Sequence, residues 1–229
     1  MFARRIGVLV FFVCLPLWAQ QAIVNVPGEP QNLNVVKQRL IQYHDCHESN
    51  CYEPQLEHQA DVAIAFVKQS AAAAKSREKL AVVFDVDETA LSNWSVEMLD
   101  DFGYIPSNEN WCVSLHCARA IPATLRIVHE AEHDKIAVFF ITGRPETQFV
   151  DTEANLRLEG YDHWQKLYAR PVNHPASQST ADYKSGARAD IVSQGYQIVL
   201  NVGDQLSDLR GSPMADHSVK MPNPFYYIP

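Results

Sequence analysis

At 229 residues, with 47% hydrophobic and 20% charged side chains and no low-complexity tract, the chain has the composition of an ordinary globular protein. That excludes a disordered or fibrous molecule and leaves room for one substantial domain, with at most a small appended subdomain. The net charge of −8 argues against general binding to nucleic-acid polymers or anionic membranes, which require basic surface.

The chain begins with a segment unlike the rest. Arg4 and Arg5 give a basic start, residues 6–17 are almost wholly apolar, and Ala19 supplies a small residue at the exit. These are the three parts of a secretory signal. The apolar run falls short of the roughly 20 residues that a membrane-spanning helix needs. A signal peptide over 1–19 is therefore predicted, cleaved after Ala19 or alternatively after Ala22, with export to a periplasmic or extracellular location. Val13 precedes Cys14 where a lipid-attachment site wants a small residue, so no stable membrane anchor is expected. Without Arg4 and Arg5, 17 basic residues face 27 acidic ones, a net charge of −10.

Removal of the leader also leaves four cysteines, Cys46, Cys51, Cys112 and Cys117. An even number in an exported chain suggests disulfides, with three possible connectivities, of which two local bridges are one. A zinc site is the competing arrangement, because His44, His47 and His116 lie close by in sequence.

Residues 20–79 read as an N-terminal helical segment. Leu33, Val36 and Leu40, then Leu56, Ala60, Ala63, Ile64 and Val67, recur at three- and four-residue steps. The texture then changes. Runs at 80–86, 136–142 and 197–202 are short and nearly continuously apolar, the mark of strands buried on both faces, and a weaker one lies at 166–169. Helical stretches fall between them at 123–133, 146–158 and 183–194, and 219–221 offers a last strand. Strands alternating with helices predict an α/β fold, a doubly wound parallel sheet spanning 80–229, with the N-terminal helical layer before it. Residues 93–121 form a small insertion after strand one, carrying Trp94, Tyr104, Trp111 and the second cysteine pair. Insertions at the carboxyl end of a strand commonly shape a ligand site.

Charged residues stand at the carboxyl ends of the apolar runs, the edge where doubly wound sheets bind ligands. Strand one ends in Asp85-Val86-Asp87-Glu88-Thr89, the second in Thr142-Gly143-Arg144, the third in Gly203-Asp204 with Asp208 four residues on. If the strand stays extended, Asp85 and Asp87 point the same way. If Val86 begins a turn, they present one side chain and one carbonyl to a common ion. Clustered carboxylates in a cleft require neutralisation, and hard oxygen ligands favour magnesium over zinc.

These strings, together with Lys184, resemble the four ordered motifs of the haloacid dehalogenase superfamily. FDVDETALSNW, FFITGRPE, YKSGAR and NVGDQLSDL look like its branch of class C bacterial acid phosphatases and plant acid phosphatase-like proteins, over about 80–209. The resemblance implies an acid phosphatase-type hydrolase of small phosphate monoesters. Asp85 would be the nucleophile that becomes an aspartyl-phosphate, and Asp87 the acid and then the base. Thr142, the amide of Gly143 and Lys184 would bind the phosphoryl group. Asp85, the Asp87 carbonyl and Asp204 would hold magnesium, with Asp208 supporting the metal waters or orienting Lys184. Arg144 reads equally as a structural ion pair or a substrate contact. Asn93 would orient the loop or cap a helix, and Glu88 would point away from phosphate.

Gln205 and Leu209 depart from the class C pattern towards the plant-like members, which bears on substrate range. Trp94, Tyr104, Trp111 and Trp164 are candidates for an aromatic wall that would favour nucleotides. Two alternatives share the fold: a non-catalytic storage or phosphate-binding protein, and a phosphotransferase.

Overall fold

The computed structural model describes residues 27–75 and 77–228. The signal peptide expected over 1–19 lies outside them. The chain divides into Met1–Asn32 and Leu33–Pro229. Of the first unit only 27–32 are described, with a turn at 27–28; the second carries every helix and strand described.

Two helices come first, α1 (Leu33–Asp45) and α2 (Tyr52–Ala73). They differ in burial. Helix α1 has no buried residue, whereas α2 buries Tyr52, Leu56, Ala60, Ala63 and Val67, a stripe at helical spacing. The break between them is closed by a Cys46–Cys51 disulfide, and Cys112 is bonded to Cys117, with Cα separations of 5.6 and 5.0 Å. Both spans are ordinary for a disulfide. All four thiols are consumed, so the zinc arrangement falls away.

The sheet is built from β1 (Lys79–Phe84), β4 (Ala137–Pro145), β5 (Lys166–Arg170), β6 (Tyr196–Gly203) and β7 (His217–Lys220), all parallel, in the order β5-β4-β1-β6-β7. Between β1 and β4 the insertion contributes β2 (Leu91–Ser92), α3 (Trp94–Leu99), α4 (Pro106–Ser114) and β3 (Arg119–Ala120). β2 and β3 pair antiparallel and close its base. The crossover helices are α5 (Pro122–His133), α6 (Phe149–Leu158), α7 (Thr180–Ser193) and the short α8 (Leu206–Leu209).

Alternation along β1 decides which helices cover which face. Val82 and Phe84 join the larger core with α2, α5 and α6, while Ala81 and Val83 pack with Tyr183, Ala187 and Ile191 of α7. Burying a Val or Phe side chain contributes roughly 1.5–3 kcal/mol, and β1 is covered on both faces. The doubly wound parallel sheet expected from the apolar runs is therefore what the chain forms.

Several boundaries move. Helix α7 starts at Thr180, ahead of Tyr183, because Ser179 and Asp182 make a reciprocal capping box: the Ser179 hydroxyl accepts from the Asp182 amide at 3.1 Å, and Asp182 Oδ2 accepts from the Ser179 amide at 3.2 Å. The stretch 146–158 opens as a 3₁₀ turn, Glu146–Gln148, before α6 begins. The strand order reverses direction between β1 and β6, and the crevice outside their carboxyl ends is the topological switch point.

Candidate active site

Strand β1 ends at Phe84 and the backbone turns at once. The Val86 carbonyl accepts the amides of Thr89, Ala90 and Leu91 at 3.3, 2.8 and 2.8 Å, and Glu88 adopts a positive φ of 53°. The turn alternative for the two aspartates is thus the one the chain adopts. Asp85 remains anchored to the sheet, its amide donating to the Val202 carbonyl of β6 at 2.9 Å. Phe84 is level with Phe140 and Val202, so the register sets Asp85 beside the ends of β4 and β6.

From the opposite face α7 sends Lys184 into this crevice. Its ammonium donates to Oδ1 of both Asp85 and Asp208, and all three side chains are buried. Burial alone would lower the Lys184 pKa, but the two carboxylates raise it, so the ammonium stays charged. The Asp85 pKa is raised too: burial, with Asp208, Asp204 and Asp87 nearby, pushes its carboxyl well above the usual range despite Lys184. Asp204 is also raised, by burial and then by Asp208. One cation among Asp85, Asp204 and Asp208 leaves the cluster short of positive charge.

Asp87 sits in a separate pairing. Arg144, buried at the end of β4, donates to it from Nε at 3.0 and 3.2 Å and from Nη2 at 2.7 Å. Burial opposes ionisation of Asp87, yet the Arg144 charge and hydrogen bonds, with those of Asn93, hold its carboxyl below the usual value. Of the two roles open to Arg144, the ion pair is the one formed in this structure. Thr142 is fully buried, its hydroxyl donating to Asp87 Oδ2 at 3.3 Å and accepting the Arg144 amide at 3.1 Å. Gly143 by contrast is exposed, and a Cβ there would meet nothing within 4 Å. Asn93 stands at the N-cap of α3 but makes no capping bond. Its amide donates instead to Asp87 Oδ1 at 2.9 Å and Glu88 Oε2 at 3.0 Å, so it ties the loop together.

Four further residues surround this set, of which Asn223 and Tyr226 carry no local sequence signal. Glu88 is buried, accepting from the Asn93 amide at 2.6 Å and the Tyr226 hydroxyl at 3.3 Å. Its side chain is thus engaged behind the turn. Arg188 is wholly buried and gathers the carbonyls of Asp208, Arg210, Gly211 and Pro213, which fixes the loop after β6. Asn223 and Tyr226 reach the site from the C-terminal segment. The YKSGAR string already held Arg188, but only the fold shows what it gathers. Gly203 is required for close approach, because a Cβ there would lie 2.4 Å from the Asp208 Cβ.

The aromatic candidates separate. Trp94 stacks on His44 at 3.6 Å and packs against Phe225 and Phe102, so it belongs to the packing that seats the insertion. Trp164 lies under Arg157, 4.4 Å from the ring centroid, and against Phe140. Tyr104 and Trp111 are 76% and 53% exposed.

The insertion also holds a cluster of acids. Burial, then Glu109 and Asp100, push the Glu97 carboxyl up to about 7. An unfolded glutamate titrates near 4.3 or thereabouts, so ionising Glu97 disfavours the folded state as pH rises from that value through 7. Glu97→Gln is expected to stabilise the protein at pH 8, on the order of 1 kcal/mol, and to change little at pH 4. Urea unfolding at the two pH values checks this; a variant less stable than wild type at pH 8 contradicts it.

A divalent ion fits the main cluster. Asp85, Asp204 and Asp208 are buried and each offers an oxygen, all within 4.8 Å of one another. An all-oxygen set with excess negative charge suits a hard cation such as magnesium. Both Asp208 oxygens are already engaged, Oδ1 by Lys184 and Oδ2 by the Gln205 amide at 2.8 Å. That leaves Asp85 and Asp204 as the side chains freer to bind an ion.

A family model, HAD superfamily, subfamily IIIB (Acid phosphatase), matches residues 19–229. Acid phosphatase 1 of Solanum lycopersicum is 38% identical over 154 residues, 64% of this chain and 58% of that protein. The Stem 28 kDa glycoprotein of Glycine max is 35% identical over 151 residues, 64% and 59% of the two chains. The chain thus spans under two thirds of the length of these curated relatives. Among solved structures, the class C acid phosphatase from Bacillus anthracis shares the fold, with a TM-score of 0.69 at 20% identity over 85% of this chain and 86% of that one. On its sequence, the chain belongs to the HAD superfamily, subfamily IIIB, the acid phosphatases.

Proposed function

We propose that the protein is an exported, magnesium-dependent phosphomonoesterase that transfers the phosphoryl group of its substrate to Asp85 and then to water. One observation carries this reading: a buried aspartate at the switch point of the sheet is held by a buried lysine, beside two further carboxylates. Side chains with that separation of charge suit phosphoryl transfer, in which positioning and electrostatics supply most of the catalysis.

Lys184 fixes the Asp85 carboxylate through Oδ1 and offers positive charge to the incoming phosphoryl oxygens. Asp85 attacks phosphorus, the P–O bond to the alcohol breaks, and the departing oxygen takes a proton from Asp87. Water then attacks the same phosphorus, giving its proton to Asp87 and releasing inorganic phosphate and free Asp85. In the ligand-free site Arg144 keeps Asp87 ionised, the form the second step needs. A bound phosphate beside Asp87 raises its proton affinity, which equips it for the first step. The Thr142 hydroxyl and the amide of Gly143 would take phosphoryl oxygens. Magnesium bound by Asp85, Asp204 and the Asp87 carbonyl would screen repulsion between the carboxylate and the phosphate.

Export is supported by two disulfides, which persist in oxidising compartments. Among the described residues no helix is long and apolar enough to cross a membrane. The exposed Tyr104 and Trp111 favour a substrate with a flat apolar group, such as a nucleoside monophosphate. Phosphate release from an aryl phosphate, a nucleotide and a sugar phosphate tests the whole reading, each with magnesium and with a chelator. Turnover that survives chelation excludes the metal role. Equal turnover of nucleotide and sugar phosphate excludes the aromatic preference.

A further inference from the structure

The C-terminal segment 221–228 lies beyond the four motifs, yet it is bonded into the site at several points. Asn223 Nδ2 donates to Asp204 Oδ2 at 2.7 Å. Gln205 Nε2 donates to the same oxygen at 2.8 Å, and Gln205 is itself held by the Ile228 amide, which donates to its Oε1 at 3.2 Å. Tyr226 bonds Glu88 on the loop after β1. Phe225 is buried and wedges the segment in place, its ring centroid 5.0 Å from Trp94 and 5.2 Å from Tyr52.

The Asn223 amide has a fixed direction. Its Oδ1 accepts the Phe225 amide at 2.9 Å, a turn within the segment, so only Nδ2 is left to face Asp204. Oδ2 of Asp204 therefore receives two N–H donors. Oδ1 receives one hydroxyl, from Thr89 at 3.1 Å, and keeps lone-pair capacity. A carboxylate free to rotate would present either oxygen; this one is pinned with a chosen oxygen available.

We infer that Asn223 is a positioning residue for the metal site: it sets the rotation of Asp204 so that Oδ1 serves as the ligand oxygen. This rests on the magnesium reading proposed above. Groups that hydrogen-bond a metal ligand commonly govern affinity by 10–100-fold or thereabouts. The C-terminal segment is thereby part of the site, although no residue in it would touch metal or substrate.

The test is a calorimetric titration of magnesium chloride into the metal-free full chain, as wild type and as Asn223→Ser. Serine can still accept the Phe225 amide in a turn of its own, but its hydroxyl is too short to reach Asp204. Magnesium is expected to bind the variant about tenfold more weakly. The thermal midpoint of the metal-free protein should be unchanged, and kcat should recover at saturating magnesium. Asn223→Thr carries the same expectation and stands in if the serine variant does not fold. Wild-type magnesium affinity in either folded variant overturns the inference while leaving the metal reading intact. Absence of magnesium binding by the wild type overturns both.

Discussion

Asp85→Asn is expected to end phosphate release, lowering kcat by about 10⁴-fold or more, while leaving a folded protein. Removing the nucleophile of a covalent mechanism has effects of that order because no neighbouring group substitutes for it. Asn93 and Asp87 lie on the same turn, but Asp87 is bonded to Arg144 and does not share the Lys184 contact. Stability should change little. Burial and three nearby carboxylates push the Asp85 carboxyl well above its ordinary range, so its charge is disfavoured in the fold. Replacing it with a neutral isostere relieves repulsion with Asp204 and Asp208, which offsets the loss of one of the two carboxylates paired with Lys184, and the ligand-free variant should melt close to wild type. Magnesium should bind it more weakly. Initial rates on an aryl phosphate, with melting curves of the same preparations, decide the matter; wild-type turnover in the variant removes Asp85 from the chemistry.

The second large effect is expected from Lys184→Met, which keeps the length of the side chain and removes its charge. Asp85 and Asp208 would then be buried without their cation. Breaking a buried pair by deleting one partner costs roughly 3–5 kcal/mol, far more than the loss of a surface ion pair. Activity should fall by about 10³-fold as well, through loss of charge opposite the transferring phosphoryl group. Lys184→Arg should not restore it, since a planar guanidinium cannot replace a compact ammonium lodged between two carboxylates. Added magnesium should recover part of the stability by mass action. Urea unfolding with and without magnesium measures this, and a methionine variant as stable and active as wild type contradicts it.

Much of the fold was legible because buried parallel strands write themselves as continuous apolar runs. The runs at 80–86, 136–142 and 197–202 correspond to β1, β4 and β6, and charged residues at their carboxyl ends marked one edge of the sheet. Asp85, Thr142, Asp204 and Asp208 could be singled out because each stands at or just past the end of an apolar run, and Lys184 because the chain resembles the four ordered motifs. The geometry brings Lys184, Asp85 and Asp208 into direct contact and Asp204 alongside them. What could not be read was pairing across long sequence distances. Arg144 carried two equal readings until its distance to Asp87 was known. Asn93 read as either orienting the loop or capping a helix, and its side-chain amide does the former, bonding Asp87 and Glu88 6 and 5 residues back. Asn223 and Tyr226 lie 19 and 138 residues from their partners Asp204 and Glu88, and no local periodicity encodes such contacts. Trp94 resembled a ligand platform in sequence, whereas His44, from a helix far upstream, covers one face of its ring.

The most direct measurement is to trap the phosphoryl group. Wild-type protein mixed with a phosphate monoester and magnesium, quenched in acid within a turnover and reduced with borohydride, converts an aspartyl-phosphate into homoserine at the position that carried it. Peptide mass analysis should find that conversion at Asp85, and no conversion at Asp85 in the Asp85→Asn variant. Conversion at another carboxylate, or none under conditions where phosphate is released, would contradict Asp85 as the nucleophile.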